Sequence, residues 1–232
     1  MTFDGFREHV TEERFRVLSQ PIIDLSTGNT LHYEWLVRFD HESDLVSLIR
    51  PAELSGAIRA LDLSMLARAV LRLNADRDHP SMSVNLSGAS FATPGYKHAL
   101  MACLGALDAD PAKLVIELTE SWDIRDVTLA ADVLGALQDR GHPICLDDVG
   151  AGAASIRYLR TLPYDWLKID KNFLTSALED PRERAVLQAL LTLRDSLPVR
   201  FIAEGLETMH LVNFAAGLGF DAGQGYAIGR PA

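Results

Sequence analysis

The pattern of hydrophobic and polar positions changes period several times along the chain. Short apolar runs with period-two alternation predict strands, and segments with apolar residues three and four positions apart predict helices. Two strand-like runs come first, RVLSQPIIDL at 16–25 and TLHYEWLVRF at 30–39, and the turn-forming STGN between them predicts a hairpin. One long helix is then expected from Pro51 to Leu73, with the proline in the first turn, where it is tolerated.

Beyond residue 80 the predicted strands and helices alternate. The predicted strands are SMSVNLS, KLVIELTE, PICLDDVG, DWLKID, VRFIAEG and DAGQGYAIG, and the helical patterns lie at about 95–107, 124–140, 155–161, 181–196 and 207–218. Such alternation is typical of a parallel sheet with helical crossovers. A chain of 232 residues that is 48% hydrophobic can bury one large core. We therefore expect a single domain over residues 1–232, of the α/β class, with enough strands to close a barrel.

Composition excludes several classes of protein. The apolar stretches are interrupted well before the roughly 18 residues that a membrane span needs, so we expect a cytoplasmic protein. A net charge of −10 argues against binding a long polyanion such as polymeric nucleic acid. Cys103 and Cys145 lie far apart in unrelated patterns, which indicates two buried free thiols rather than a disulfide or a zinc site.

Polar residues recur where the predicted strands end. Because residues at the carboxyl ends of barrel strands converge on one mouth, we expect these side chains to lie together. Alternation along LVIELTE and WLKID turns Glu117 and Lys168 away from their apolar neighbours and towards the barrel interior. The whole set is Glu34, Asn85, Glu117, Asp147, Asp148, Lys168, Glu204 and Gln224.

Carboxylates gathered in one mouth would repel each other strongly without cations. Carboxylate and amide oxygens suit hard divalent ions, so we expect two cations, Mg²⁺ or Mn²⁺, whereas the scattered histidines offer no zinc motif. Two such ions are the usual device for displacement at phosphorus, which favours phosphodiester hydrolysis. Lys168 would position the attacking water or a phosphate oxygen, and Gln224 would bind substrate or water. A Schiff base on Lys168 is the rival chemistry, but it needs no ring of carboxylates.

The motifs YEWLVR, VNLS, IELTE, LDDVGAG, LKID, IAEGLE and GQGYAIGRP occur in this order from about residue 14 to the C-terminus. In that combination the chain resembles the EAL domain, the family of bacterial phosphodiesterases that linearise cyclic di-GMP. The resemblance implies a TIM-like (β/α)8 barrel whose first strand is antiparallel to the others. It also implies hydrolysis of cyclic di-GMP to the linear dinucleotide pGpG, and a homodimer formed through the region after the Asp-Asp pair.

The same resemblance implies a role for each matching residue. The metal ligands would be Glu34, Asn85, Glu117, Asp147, Asp148 and Glu204, and the catalytic group would comprise Lys168, Asp148, Glu204 and Gln224. Leu36, Arg38, Gln224 and Pro231 would contact the substrate, with Leu36 and Arg38 on the strand face of Glu34. Glu120 and Glu207 would stabilise the loop after the Asp-Asp pair.

The sequence departs from the family pattern in two places. Trp35 replaces the signature alanine, and alternation predicts that its ring packs outwards and leaves the site intact. The loop after Asp148 reads Val149, Ala151, Ala153 and Ala154, and so lacks the usual polar and aromatic side chains. We therefore expect a slack loop, which would leave ligand binding intact but slow catalysis, because small misplacements of metals are costly. Three hypotheses therefore stay open: an active phosphodiesterase, a cyclic di-GMP receptor without activity, and an interaction module that binds no nucleotide.

Overall fold

A computed structural model describes residues 6, 10, 12, 14–39, 45–119, 124, 126–151 and 155–232. Its strands close into a barrel in sequence order, with β1 antiparallel to β2 and β8 and all other neighbours parallel. The strands are β1 Phe15–Asp24, β2 Thr30–Phe39, β3 Met82–Ser87, β4 Leu114–Thr119, β5 Ile144–Val149, β6 Trp166–Ile169, β7 Arg200–Ala203 and β8 Ala222–Gly223. The expected TIM-like barrel with an antiparallel first strand is confirmed.

Helices cover the outside of the barrel, and the main core lies between them and the strands. The helices are α1 Leu45–Ser55, α2 Ile58–Ala75, α3 Gly88–Phe91, α4 Tyr96–Leu104, α5 Val127–Gln138, α6 Ser155–Thr161, α7 Lys171–Glu179, α8 Pro181–Leu191 and α9 Met209–Leu218. Asp126, Asp170, Asp180 and Thr208 each cap a helix by accepting a hydrogen bond from a backbone N–H of its first turn. These caps explain where the crossover helices begin.

Three predictions of secondary structure were wrong. The single helix predicted from Pro51 is two helices, because Gly56 takes a positive φ of 74° between α1 and α2. Pro51 therefore lies inside α1 and not in a first turn. Helix α7 was missed between β6 and α8, and the last strand is only Ala222–Gly223 instead of 221–229.

Strand β8 is too short to pair with the whole of β1. The segment after β8 lies along the rest of β1 and forms hydrogen bonds with it. Ser19 and Ala232 exchange backbone hydrogen bonds of 2.9 and 3.1 Å. The side chain of Gln20 donates to the carbonyl of Gly229 at 3.0 Å. A Cβ at Gly229 would approach the Pro21 ring to 2.6 Å, so only glycine permits this close approach. The last residues are thus held along β1 beside the barrel mouth.

Both cysteines are free thiols, as predicted. Cys145 is buried inside the barrel, but Cys103 is only half-buried because it lies on the partly exposed side of α4. Among the described residues, no helix combines the length and the apolar character needed to cross a membrane.

Candidate active site

The polar side chains predicted to converge do converge, at the end of the barrel where the parallel strands finish. Glu34 and Glu117 are almost fully buried, and Lys168 is 1% exposed. Their neighbours Leu118 and Leu167 point to the opposite side, into the core beneath the helices. Strand alternation therefore explains why these short strands carry charge on one face only.

Lys168 lies at the centre of the cluster. Its Nζ atom is 2.8 Å from Glu34, 3.0 Å from Glu117, 2.9 Å from Glu204 and 3.5 Å from Asp147. Burial alone would lower the pKa of this lysine, but the surrounding carboxylates outweigh burial and raise the pKa well above its usual value. The carboxylates around Lys168 therefore favour its ammonium form, which argues against the neutral amine that a Schiff base requires.

Glu34 is held on both carboxylate oxygens by side-chain amides. Asn85 Nδ2 donates to Oε1 at 2.7 Å, and Gln224 Nε2 donates to Oε2 at 2.7 Å. Burial would raise the pKa of Glu34, but Lys168 and these amides stabilise the charged form and lower the pKa below its usual value. Glu34 therefore stays ionised inside the protein.

The other carboxylates are not all compensated in this way. Burial raises the pKa of Glu117 to about 7 in spite of the attraction to Lys168. Burial also raises the pKa of Asp147 well above its usual value, and repulsion from Glu204 and Glu117 adds to this. The pKa values of Asp148 and Glu204 are likewise raised by burial, against the opposing effect of Lys168. One ammonium is thus too little positive charge for the carboxylates present.

A tight turn presents the two adjacent aspartates to the mouth. Asp148 has a positive φ of 57°, and its N–H donates to Asp147 Oδ1 at 2.9 Å. Ala151 N donates to the Asp148 carbonyl at 3.0 Å, and this backbone bond closes the turn. Gly150, at φ 103°, lies so close to the ring of Phe173 that a Cβ would overlap it. Gly150 therefore has a packing reason to be a glycine.

These observations qualify the expectation of a slack loop. Val149 is buried in the core, and its carbonyl accepts from Asp170 N at 3.2 Å, so the start of the loop is anchored. Ala153 and Ala154, on which the expectation also rested, lie outside the described residues. The effect of the alanines on catalysis stays a prediction.

The donor set fits divalent cations. Asn85 Oδ1 and Glu117 Oε1 are buried and have no hydrogen-bond partner in the described part of the chain. Ligand atoms within 4.8 Å of one another occur in two overlapping groups: Glu34, Glu117 and Asp147, and Asp147, Asp148 and Glu204. Unpaired buried oxygens are costly unless a ligand satisfies them, and oxygen donors are those that Mg²⁺ and Mn²⁺ prefer.

A cavity of about 240 Å³ opens beside the carboxylates, and Leu36 and Arg38 line it together with Asn85 and Asp147. The Arg38 guanidinium donates to the backbone carbonyl of Val37 at 2.7 Å. The two predicted substrate contacts on β2 therefore share one cavity with the predicted metal ligands.

Two buried acidic residues of the cavity wall, Glu53 and Asp62, were not predicted. Asp62 Oδ2 accepts from Ser87 N at 3.2 Å, Ser90 Oγ at 2.5 Å and Tyr96 Oη at 3.2 Å. Burial raises the pKa of Asp62 to about 7, although these hydrogen bonds oppose the rise. The available signal was an aspartate on the apolar face of an amphipathic helix.

The remaining predicted residues lie at the edge of the site or outside the described chain. Glu207 pairs with Lys171 at the start of α7. Pro231 belongs to the segment held along β1 by Ala232. Glu120 lies outside the described residues. The loop-stabilising roles of Glu120 and Glu207 and the substrate contact of Pro231 stay predictions.

The EAL domain model matches residues 4–231, from a point earlier than the motif-based estimate of about residue 14. The chain belongs to the EAL domain family. Among its relatives in Pseudomonas aeruginosa, the cyclic di-GMP phosphodiesterase PA2567 is 31% identical over 230 residues, which are 95% of this chain and 39% of that protein. The bifunctional diguanylate cyclase/cyclic di-GMP phosphodiesterase MucR is 32% identical over 222 residues, 91% of this chain and 32% of that protein.

This EAL domain thus spans about a third of the length of the curated relatives it matches. Among solved structures, the PaMucR phosphodiesterase in complex with c-di-GMP superposes with a TM-score of 0.85 at 29% identity, covering 100% of this chain and 97% of that one. The family membership predicted from the motifs is confirmed.

Proposed function

We propose that this EAL domain is a divalent-metal-dependent phosphodiesterase that hydrolyses cyclic di-GMP to linear pGpG and so lowers the level of a second messenger. The observation that carries the proposal is the buried cluster of carboxylates around Lys168, in which Asn85 Oδ1 and Glu117 Oε1 have no hydrogen-bond partner among the described residues. Two relatives named as cyclic di-GMP phosphodiesterases support the choice of substrate.

Six oxygen-bearing side chains would hold two Mg²⁺ or Mn²⁺ ions: Glu34, Asn85, Glu117, Asp147, Asp148 and Glu204. When bound, the ions would supply Lewis-acid activation of the attacking water and of the scissile phosphate. Their positive charge would also offset the repulsion that now raises the pKa values of Asp147 and Glu204. Asn85 can orient Glu34 and bind a cation at the same time, because its Nδ2 donates to Glu34 while its Oδ1 has no hydrogen-bond partner in the part of the chain that the structure describes.

The protein groups around the reacting phosphate have separate tasks. The Lys168 ammonium would hold a phosphate oxygen or the attacking water by donating a hydrogen bond, since an ammonium has three donors and no acceptor. Asp148 and Glu204, at the open side of the cluster, would accept hydrogen bonds from that water. Arg38 would bind a phosphate through its guanidinium, which is suited to two parallel hydrogen bonds.

The cavity beside the site suits a guanine base. Leu36 offers an apolar surface for the ring, and Asp62 offers a carboxylate for its N–H donors. The three hydrogen bonds to Asp62 from the described residues all reach Oδ2, and Oδ1 would then accept from the base. Pro231, next to Ala232 on the segment held along β1, would contact the second half of the dinucleotide.

The test is incubation of the purified chain with cyclic di-GMP and Mg²⁺ or Mn²⁺, with chromatographic detection of pGpG. We expect product that disappears in EDTA and in a Glu34→Gln variant, while a Lys97→Met variant, altered at an exposed position of α4 outside the cluster, stays active. Metal-independent product would contradict the assigned site. The anticipated cytoplasmic location and homodimer stay predictions.

The receptor hypothesis is the second candidate, and Val149 and Ala151 favour it because they bring no polar side chain to the turn after Asp148. Calorimetric titration with cyclic di-GMP in Ca²⁺ separates the candidates. Binding without turnover in Mg²⁺ or Mn²⁺ would identify a receptor, and the absence of both would leave the interaction module.

A further inference from the structure

Gln20 lies on β1, next to Glu34 of the candidate active site. Its side chain is 8% exposed, and its Cα is paired in register with that of Glu34 on β2. Neither the strand pattern nor the family motifs give it a role. A buried amide is costly unless it is hydrogen bonded, so the hydrogen-bond partners of Gln20 indicate the role of its side chain.

Gln20 contacts the amide of Gln224. The Nε2 atom of Gln224 donates to Glu34 Oε2 at 2.7 Å and to Gln20 Oε1 at 3.4 Å. The amide nitrogen of Gln224 has two hydrogens, and each of them takes part in one of these two hydrogen bonds. The Oε1 atom of Gln224 is therefore turned away from Glu34 and Gln20.

The orientation of Gln20 is itself determined by the chain. Its Nε2 donates to the Gly229 carbonyl at 3.0 Å, on the segment held along β1. If the Gln20 amide were flipped, its oxygen would face the carbonyl oxygen of Gly229, and its NH₂ group would face the NH₂ group of Gln224. Neither hydrogen bond could then form. Hydrogen bonds therefore run in one direction only, from Gln224 to Gln20 and from Gln20 to Gly229.

We propose that Gln20 is a positioning residue that fixes the amide of Gln224 with its nitrogen on Glu34 and its oxygen facing the mouth. The inference rests on the proposed function, because the Gln224 oxygen would there accept a hydrogen bond from the attacking water. Without Gln20, the Gln224 amide keeps one of these two hydrogen bonds, and it rotates more freely.

The first test does not depend on activity. The side-chain NH₂ signals of Gln224, assigned by their loss in Gln224→Met, are followed by ¹⁵N NMR in Gln20→Met. We expect both signals to shift and their exchange with water to increase at least about tenfold, because one of two hydrogen bonds is lost. Gln138→Met is the matched control, since Gln138 bonds Asp165 at the other end of the barrel. Unchanged Gln224 signals in Gln20→Met would overturn the proposal.

The second test is a double-mutant cycle on kcat and KM for cyclic di-GMP. We expect Gln20→Met to lower kcat about tenfold with little change in KM, and to have less than a twofold effect when Gln224 is already Met. A purely structural role at Gly229 would lower kcat equally in both backgrounds, and that result would overturn the proposal.

The two tests also separate this inference from the proposed function. If the wild-type chain does not hydrolyse cyclic di-GMP, the proposed function fails, and the NMR comparison still decides whether Gln20 positions Gln224. If Gln20→Met does not fold, Gln20→Asn replaces it, because the shorter amide stays polar but cannot reach Gln224. The same signal shifts are then expected, and their absence would overturn the proposal.

Discussion

Replacing Lys168 with Met tests whether the ammonium holds the site together. The side chain is 1% exposed, and its nitrogen lies within 3.5 Å of four carboxylates. At an effective dielectric constant of about 20, each contact near 3 Å corresponds to about 5 kcal/mol of gross attraction, most of which desolvation offsets. Removing one partner of a buried ion pair typically costs about 3–5 kcal/mol net. We expect the free energy of unfolding to fall by about that amount.

The measurement is urea unfolding of Lys168→Met and wild type in EDTA at pH 5 and pH 8. The carboxylates of the cluster have folded-state pKa values above those of the unfolded chain, except Glu34, and loss of Lys168 raises them further. Such groups cost stability as pH rises towards the folded pKa, because the unfolded chain has already lost its protons. The difference in the free energy of unfolding between wild type and Lys168→Met should therefore be smaller at pH 5 than at pH 8.

Divalent cations should then restore the variant. An ion present at about a hundred times its dissociation constant stabilises the folded state by about 2.7 kcal/mol. Mg²⁺ or Mn²⁺ should raise the stability of Lys168→Met more than that of wild type, because the ions replace the missing charge. Lys171→Met is the control: its pair with Glu207 is about half exposed, and such pairs contribute less than about 1 kcal/mol. Equal stability of Lys168→Met and wild type in EDTA at pH 8 would refute this reasoning.

Three further changes test other parts of the structure. Glu34→Ala removes an ionised, doubly hydrogen-bonded group, so hydrolysis measured by pGpG release should fall at least about a hundredfold; near-normal turnover would contradict the metal assignment. Asp62→Asn should gain stability relative to wild type between pH 5 and pH 8 in urea unfolding, by about 3 kcal/mol, because a buried aspartate with a pKa of about 7 destabilises the fold as pH rises from 5 to 7; a pH-independent difference would argue against that pKa. Gly150→Ala should cost about 1–3 kcal/mol in the same assay, since its φ of 103° is unfavourable for alanine and the new Cβ would overlap Phe173; wild-type stability would show that the turn adapts.

Strand periodicity predicted the centre of the site because it fixes which way a side chain points. Glu117 and Lys168 alternate with apolar residues, and the barrel rule places both strand ends at one mouth. Helix α7 was missed since Lys171 follows β6 after a single residue, with no glycine or proline to mark the change. Its start depends on the Asp170 side chain, which accepts from Asn172 N and Phe173 N at 2.9 and 3.1 Å.

Asp62 shows what local patterns leave out. The residue lies in α2, and its partners Ser87, Ser90 and Tyr96 are all at least 25 positions further along the chain. Helical spacing places Asp62 on the buried face but gives no information about the polar groups that meet it there. The contact between β1 and the segment after β8 has the same character, because Gln20 and Gly229 are 209 positions apart. Such contacts arise from closure of the barrel and not from any local pattern.

The site combines a cost in stability with an affinity for cations. Among the described residues, the cluster places one ammonium among five carboxylates, and burial raises the pKa values of Glu117 and Asp147 in spite of it. Replacing the cluster with apolar residues would remove this cost, because buried ion pairs are often no better than well-packed hydrophobic groups. Lys168 offsets part of the repulsion between the carboxylates, and the rest of that repulsion favours the binding of divalent ions. The excess negative charge is thus the physical reason to expect cations here, and the stability of Lys168→Met measures how large that excess is.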